Sequence, residues 1–247
     1  MPIEEFMLKA QLALRTALPY IVVLLLSAFF ITTSVRVAFN ALPLYVYGFE
    51  RYGASERTGV TPSDLEQVAR DLIAYFNSDR EPLIVRTRVQ GVQRELFNAR
   101  EVAHMKDVHA LVQGLFRWQT ATLVALGVYI VGGFAFRGKA FAGELGWALF
   151  WGGAVTLGLF VLFAALVTVG FSHLFLLFHI LSFSNEFWLL DPSRDYLVML
   201  FPAGFWFDAA LAVAVATALQ AVAALVIGLV VARAQHARLR RLRATAV

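Results

Sequence analysis

The sequence predicts an all-α polytopic membrane protein with four transmembrane helices and a mostly helical extracytoplasmic segment. Of the 247 residues, 60% are hydrophobic and 15% are charged, whereas a soluble domain carries roughly 45–50% and about 25%. The excess of apolar residues lies in four blocks, each close to the ~20 residues that a spanning helix needs. The chain has no cysteine, which excludes thiolate catalysis, disulfides and Cys-ligated metal sites.

The apolar blocks predict the order of the segments. Spanning helices are expected at 18–39, 118–136, 145–171 and 209–231, with a continuation of the third toward Ile180 left open. The first block is interpreted as an uncleaved signal anchor, because it is long and no small-x-small cleavage site follows it. The remaining segments are a cytoplasmic N-terminal tail (1–17), an extracytoplasmic segment (40–117), a cytoplasmic loop (137–144), an extracytoplasmic aromatic loop (172–208) and a cytoplasmic basic tail (232–247).

Basic residues in the short connections predict the orientation of the spans. Lys9 and Arg15 precede the first span, Arg137 and Lys139 lie between the second and third, and five arginines lie in 232–247. With four spans these segments share one side, so both termini are expected in the cytoplasm. The net charge of +4 is therefore interpreted as a topology signal and as attraction to the phospholipid bilayer, with no nucleic-acid partner.

The segment 40–117 is too long for a simple loop and predicts local structure of its own. Thr61 and Pro62 form a helix start, and apolar residues at i, i+3 and i+4 spacing extend that helix to about Asn77. Alternating residues in 81–93 favour a short hairpin. A second helix is expected from about Asn98 to Phe116 and on into the second span.

Histidines and carboxylates are the candidates for chemistry, because no nucleophile elbow, Walker loop, H-E-x-x-H or dinucleotide fingerprint is found. His104 lies on the second external helix, with Glu101 one turn before it and Asp107 one turn after it. Histidine titrates near neutral pH and is the commonest general acid or base. The alternative is a solvated histidine on an amphipathic helix. His109 is expected to be structural.

The aromatic loop supplies the second candidate, His179, at the end of an apolar run. Asn185, Asp191 and Asp195 follow it. The alternative for His179 is an interfacial ring bonded to a backbone carbonyl, and the two aspartates could instead cap and pair with Arg194. The aromatic residues of this loop are interpreted as an interfacial belt.

Two patterns carry a resemblance to a known family. The segment Glu95–Val108 contains E-x-x-H-M-x-D-V, and the segment Phe178–Asp195 contains F-H-x-x-x-F-x-N-x-x-W-x-L-D-P. Together with the four spans and the large external segment, they resemble the bacterial lipoprotein intramolecular transacylase family, Lit, over nearly the whole chain.

The resemblance implies an acyltransferase of the bacterial cytoplasmic membrane whose active site lies at the outer leaflet. Its substrate would be a diacylated bacterial lipoprotein, with an S-diacylglyceryl group on the N-terminal cysteine. The enzyme would move the sn-2 acyl chain to the α-amine of that cysteine and so produce a lyso-form lipoprotein. No cofactor and no metal are implied.

This chemistry is consistent with the residues. Donor ester and acceptor amine lie in one molecule, so proximity replaces an enzyme nucleophile. An α-amine has a reference pKa near 8, so it needs a base, and the departing glycerol oxygen needs a proton. The hypothesis is that His104 and His179 flank the ester and transfer these protons, with their individual roles open.

The other polar residues are predicted to support the two histidines. Glu101 or Asp107 would orient His104, as the third member of a catalytic triad does. Asn185 would donate a hydrogen bond to the tetrahedral oxyanion. Asp191 and Asp195 would hold the external loop or the α-ammonium group.

Two other functions compete with this hypothesis. A metal-dependent membrane hydrolase or protease could use His104, Asp107 and His179 as ligands, although no compact ligand spacing exists. The other is a non-catalytic transporter or accessory protein. Against it, the spans carry no mid-helix acid or base and show no inverted repeat.

Overall fold

The computed structural model describes residues 3–167 and 170–244, which form helices and one small hairpin. The elements are α1 (Ile3–Asn40), α2 (Leu42–Arg51), α3 (Ala54–Thr58), α4 (Pro62–Phe76), β1 (Arg86–Val89), β2 (Val92–Glu95), α5 (Ala99–Arg137), a 3-10 turn (Gly138–Ala140), α6 (Phe141–Val167), α7 (Phe171–Ser182), α8 (Tyr196–Leu200) and α9 (Ala203–Ala244).

Within the described residues, three helical stretches are long and apolar enough to cross a membrane. They are Thr16–Asn40, Ala99–Val167 and Ala203–Arg238. The second contains two α-helices, α5 and α6, which are separated by the 3-10 turn. At most 33% of the most apolar window of each stretch is buried, so most of that surface is available to lipid. The chain is therefore a mostly helical membrane protein.

The chain divides into two compact units, and the first comprises the described parts of 1–33, 118–162 and 215–247. Glycines let the backbones of α6 and α9 approach closely within it. A Cβ atom at Gly146 would lie 2.8 Å from the backbone nitrogen of Ala232. Small residues allow such contacts between helices in membranes, where van der Waals packing contributes much of the association energy.

The second unit comprises 34–117 and the described part of 163–214, and it contains the candidate functional residues. Its helix α4 begins as predicted, because Thr61 Oγ1 accepts a hydrogen bond from the Asp64 N–H at 3.2 Å. The apolar face of α4 is buried in the core of this unit, where Leu65, Val68 and Leu72 are 1–3% exposed.

The predicted hairpin of the second unit is confirmed, with bounds shifted a few residues toward the C-terminus. Strands β1 and β2 are antiparallel, and Val89 faces Val92 across the last pair. Gln90 and Gly91 form the two-residue turn with φ values of 51° and 80°. Positive φ at both positions is the geometry that a tight hairpin turn requires.

Helix ends differ from the predicted segment boundaries. Helix α1 already begins at Ile3 and α9 continues to Ala244, so most of the predicted tails is helical. The predicted loop 137–144 is reduced to the 3-10 turn, where Gly138 has a φ of 54°. Hydropathy locates apolar stretches, whereas the backbone hydrogen bonds of a helix continue through good helix formers such as Arg and Ala.

The third spanning helix does not continue to Ile180, which is the alternative that the sequence left open. The structure describes helix α6 as far as Val167. Residues 168–169 of the predicted span 145–171 lie outside the described residues. Gly170 then has a φ of 124°, which an α-helix does not accommodate, and α7 begins at Phe171 as a separate helix.

Candidate active site

Helices α5 and α7 bring two buried histidines together. His104 lies on the second turn of α5, and His179 lies in the last turn of α7. Their ring centroids are 6.1 Å apart with an interplanar angle of 31°. The two residues are only 7% and 8% exposed. They are far apart in the sequence, so their proximity is a product of the fold of the second unit.

A backbone contact fixes the tautomer of His179. Its Nδ1 lies 2.7 Å from the carbonyl oxygen of Phe175. A carbonyl can only accept, so Nδ1 carries the proton and Nε2 has a free lone pair when the ring is neutral. The backbone-bonded alternative for His179 is therefore compatible with a role as a base at Nε2.

Aromatic side chains surround the His179 ring. Phe175, Trp188 and Phe183 lie 4.4, 5.1 and 5.6 Å away, measured between ring centroids. Phe183 also meets the ring of His104 edge-on at 5.2 Å. Phe183 and Trp188 are predicted to belong to an interfacial belt. In the structure they contribute to the surroundings of the histidines.

The ring of His104 has an unused polar atom. Among the described residues, its buried Nδ1 has no hydrogen-bond partner. The residue is only 7% exposed, so this nitrogen is a candidate contact for a bound substrate.

Glu101 binds backbone N–H groups instead of supporting the ring of His104. It is fully buried, and its Oε2 accepts from the Asn98 N–H at 2.8 Å. Asn98 Oδ1 in turn accepts from the Glu101 N–H at 3.1 Å. This reciprocal pair is a capping box at the start of α5. The other oxygen, Oε1, accepts from the Leu197 N–H at 2.6 Å, so one carboxylate binds the first turns of both α5 and α8.

Asp195 and Asp191 continue this network into the external loop. Asp195 is 2% exposed, and it accepts from Asn98 Nδ2 at 2.9 Å and from the Asp191 N–H at 2.7 Å. Asp191 accepts from the backbone N–H and the hydroxyl of Ser193. Of the two predicted roles, these contacts match that of holding the loop.

Asp107 and Asn185 contact each other next to the histidine pair. The Asn185 amide donates to Asp107 Oδ2 at 2.8 Å, and Asn185 Oδ1 accepts from the Phe187 N–H at 3.0 Å. Asp107 lies one helical turn after His104 on α5. The structure thus places Asp107 beside His104 and Asn185 beside Asp107.

Asn98 and Arg100 also contribute to the site, and only Asn98 has a local sequence signal. The spacing N-x-x-E from Asn98 to Glu101 is the signature of a capping box. Arg100 donates to the backbone oxygen of Glu186 at 2.7 Å and so holds the loop that contains Trp188. No local pattern indicates that contact, because its partner is a backbone atom 86 residues away.

His109 has the structural role that the sequence suggested. Its Nε2 lies 2.8 Å from the backbone oxygen of Ser78, and its ring lies 4.6 Å from that of Tyr75. In the described part of the chain, no three His, Asp or Glu side chains are grouped so that they could hold a metal ion.

These features define the class: a mostly helical membrane protein with a buried histidine pair among aromatic side chains. The family model described as lipoprotein intramolecular transacylase Lit matches residues 20–206. The chain therefore belongs to the lipoprotein intramolecular transacylase family, which confirms the resemblance seen in the sequence. Comparison with curated proteins gave no match.

Solved structures of the lipoprotein intramolecular transacylase Lit from Bacillus cereus share the fold. One has a TM-score of 0.72 at 16% identity and covers 90% of this chain and 99% of its own. Two variants of that protein, with one histidine replaced by arginine or by alanine, each have a TM-score of 0.64 at 17% identity. They cover 93% and 92% of this chain, and 99% of their own chains.

Proposed function

We propose that the protein transfers the sn-2 acyl chain of an S-diacylglyceryl lipoprotein to the α-amine of the same N-terminal cysteine. The product is a lyso-form lipoprotein. The observation that carries the proposal is the pair of buried imidazoles, His104 and His179, with centroids 6.1 Å apart. Membership of the transacylase family supports the class of reaction.

The two histidines can account for both proton movements. One imidazole takes a proton from the α-ammonium group, and the free amine attacks the carbonyl carbon of the sn-2 ester. A new C–N bond forms, and the nitrogen gives a second proton to an imidazole. The ester C–O bond then breaks and the glycerol oxygen receives that proton, while the first proton is released to solvent. The candidate atoms for these transfers are Nε2 of His179 and Nδ1 of His104, which has no partner among the described residues.

Asn185 is proposed to stabilise the tetrahedral oxyanion. Its amide nitrogen carries two hydrogens, and the contact with Asp107 at 2.8 Å can use only one of them. The second N–H can donate to the negative oxygen that develops as the amine attacks. A donor held in place before reaction stabilises such charge effectively in a site with little water.

The proposed membrane topology has four spans and cytoplasmic termini. The helical stretch Ala99–Val167 has 69 residues, which at 1.5 Å per residue is about three times the thickness of a hydrocarbon core. Its two helices, α5 and α6, therefore supply one span each. The external segments 40–117 and 172–208 then lie on the side opposite the basic tails.

Helix α7 is proposed to lie in the outer leaflet. Its 12 residues extend about 18 Å, too short to cross a bilayer. Leu176, Ile180 and Leu181 are 47–77% exposed, whereas His179 is buried. An apolar helix surface of this kind is stable in lipid, and it would bring His179 to the depth of the substrate's ester.

Isotope crossover tests the proposed reaction. Two diacylglyceryl lipopeptides of different peptide mass, one with a deuterated sn-2 chain, are mixed with the protein in lipid vesicles. We expect N-acylated lyso-form products in which each peptide retains its own acyl chain, as tandem mass spectrometry of the N-terminus would show. Exchange of chains between peptides, or acyl transfer from phospholipid, would contradict intramolecular transfer.

A further inference from the structure

The carboxylates around the histidine pair differ in how they are already bound. Glu101 and Asp195 are buried, and both oxygens of each accept hydrogen bonds from protein groups. Asp191 binds Ser193 and lies 3.7 Å from the guanidinium of Arg194. Asp107 is half-buried and accepts from the neutral amide of Asn185.

The negative charge of Asp107 is not balanced within the described part of the chain. No salt bridge to its carboxylate is found there, and the Asn185 amide contributes a hydrogen bond but no charge. The neighbouring basic residue Lys106 binds Glu81 at 3.0 Å. A partly buried carboxylate without a cation is costly, so this position favours a cationic ligand.

We propose that Asp107 binds the α-ammonium group of the lipoprotein's N-terminal cysteine. The inference rests on the proposed function and adds the residue by which the acceptor end of the substrate is recognised. A second observation points to a polar ligand at the same place: one turn earlier on α5, His104 is 7% exposed and its Nδ1 has no partner among the described residues.

The position of Asp107 also suits the proton transfer. When the ammonium group gives a proton to His104, the positive charge moves only from one neighbour of Asp107 to another. The same carboxylate therefore stabilises the charge before and after the transfer, and little electrostatic energy is lost. The attacking nitrogen is held within a helical turn of the ring that deprotonates it.

The ion pair between Asp107 and the α-ammonium group would also make the protein bind substrate more tightly than product. The substrate nitrogen is a cation, and the product nitrogen is a neutral amide that cannot pair with a carboxylate. Acyl transfer thus removes the ion pair with Asp107, which weakens binding and favours release of the lyso-form lipoprotein. Lipoproteins whose α-amine is already acylated would bind weakly for the same reason.

Binding of inert ligands tests this inference. The probes are two S-dialkylglyceryl lipopeptides with ether-linked chains, which cannot transfer an acyl group, one with a free α-amine and one N-acetylated. The wild-type protein in lipid nanodiscs should bind the free amine about tenfold more tightly or better, as expected for a desolvated ion pair. Asp107→Asn should bind the two probes equally.

Asp71→Asn is the matched control, because it removes the same charge from a half-buried carboxylate that also accepts from a neutral amide, that of Gln67 at 2.8 Å. It should keep the preference for the free amine. Loss of the preference in this variant, or its persistence in Asp107→Asn, would overturn the inference. The ether probes do not react, so the result is independent of turnover: a clear amine preference without acyl transfer would contradict only the proposed function.

Discussion

Replacing either histidine of the pair by asparagine should reduce lyso-form production by about 10²- to 10⁴-fold, the usual contribution of general acid–base catalysis. The expectation follows from two buried rings 6.1 Å apart and a reaction that needs both a base and an acid. If His104 and His179 act as one unit, the double variant should lose little more than each single variant. Mass spectrometry of the lipoprotein N-terminus measures the product.

Asparagine is chosen because it separates packing from proton transfer. At position 179 its amide nitrogen can take the place of Nδ1 and still donate to the carbonyl oxygen of Phe175, which the native ring does at 2.7 Å. It cannot titrate, so the structural contact remains while the base is removed. Wild-type levels of the lyso-form product with both single variants would eliminate the proposed mechanism.

His109→Asn is the control for loss of a buried histidine. His109 lies on the same helix and is 6% exposed, but it contacts Ser78 and Tyr75 instead of His179. We expect this variant to be somewhat less stable but to retain acyl transfer per folded molecule. A loss as large as that of His104→Asn would indicate that any buried change in α5 disrupts the site.

The local elements of the fold could be predicted because their signals are local. The cap at Thr61, the stripe that begins at Leu65 and the short hairpin depend on residues a few positions apart. The sequence left open whether the third spanning helix continues into α7, because both segments are apolar. The break depends on the backbone at Gly170, whose φ of 124° is set by the folded chain.

The candidate site also combines features that could be predicted from the sequence with features that only the folded chain determines. Histidine and carboxylate types could be selected from the sequence, since few side chains move protons near pH 7. The hydrogen-bond partner of each side chain could not be predicted. A helical wheel shows only residues of the same helix as Glu101, whereas the buried N–H of Leu197 lies 96 residues away in the sequence. Burial decides the outcome, since a buried N–H without an acceptor is costly.

Glu101→Ala is expected to have the second largest effect. It should lower the stability of the protein, and acyl transfer as a consequence. It would leave the N–H groups of Asn98 and Leu197 without their acceptor, at about 1–3 kcal/mol each. The apparent Tm in detergent should fall by about 5–15 °C. Acyl transfer should fall with it, because the start of α8 and the loop before it lose their link to α5.

Glu101→Gln distinguishes this positioning role from direct support of His104. Glutamine keeps one acceptor oxygen but turns an NH₂ group toward a backbone N–H, so we expect a Tm between those of Glu101→Ala and the wild type. Glu66→Gln, an exposed carboxylate paired with Arg70, should shift the Tm little. If both Glu101 variants kept the wild-type Tm and lost activity alone, the carboxylate would be acting on the His104 ring, because a positioning role must first destabilise the helix starts that it caps.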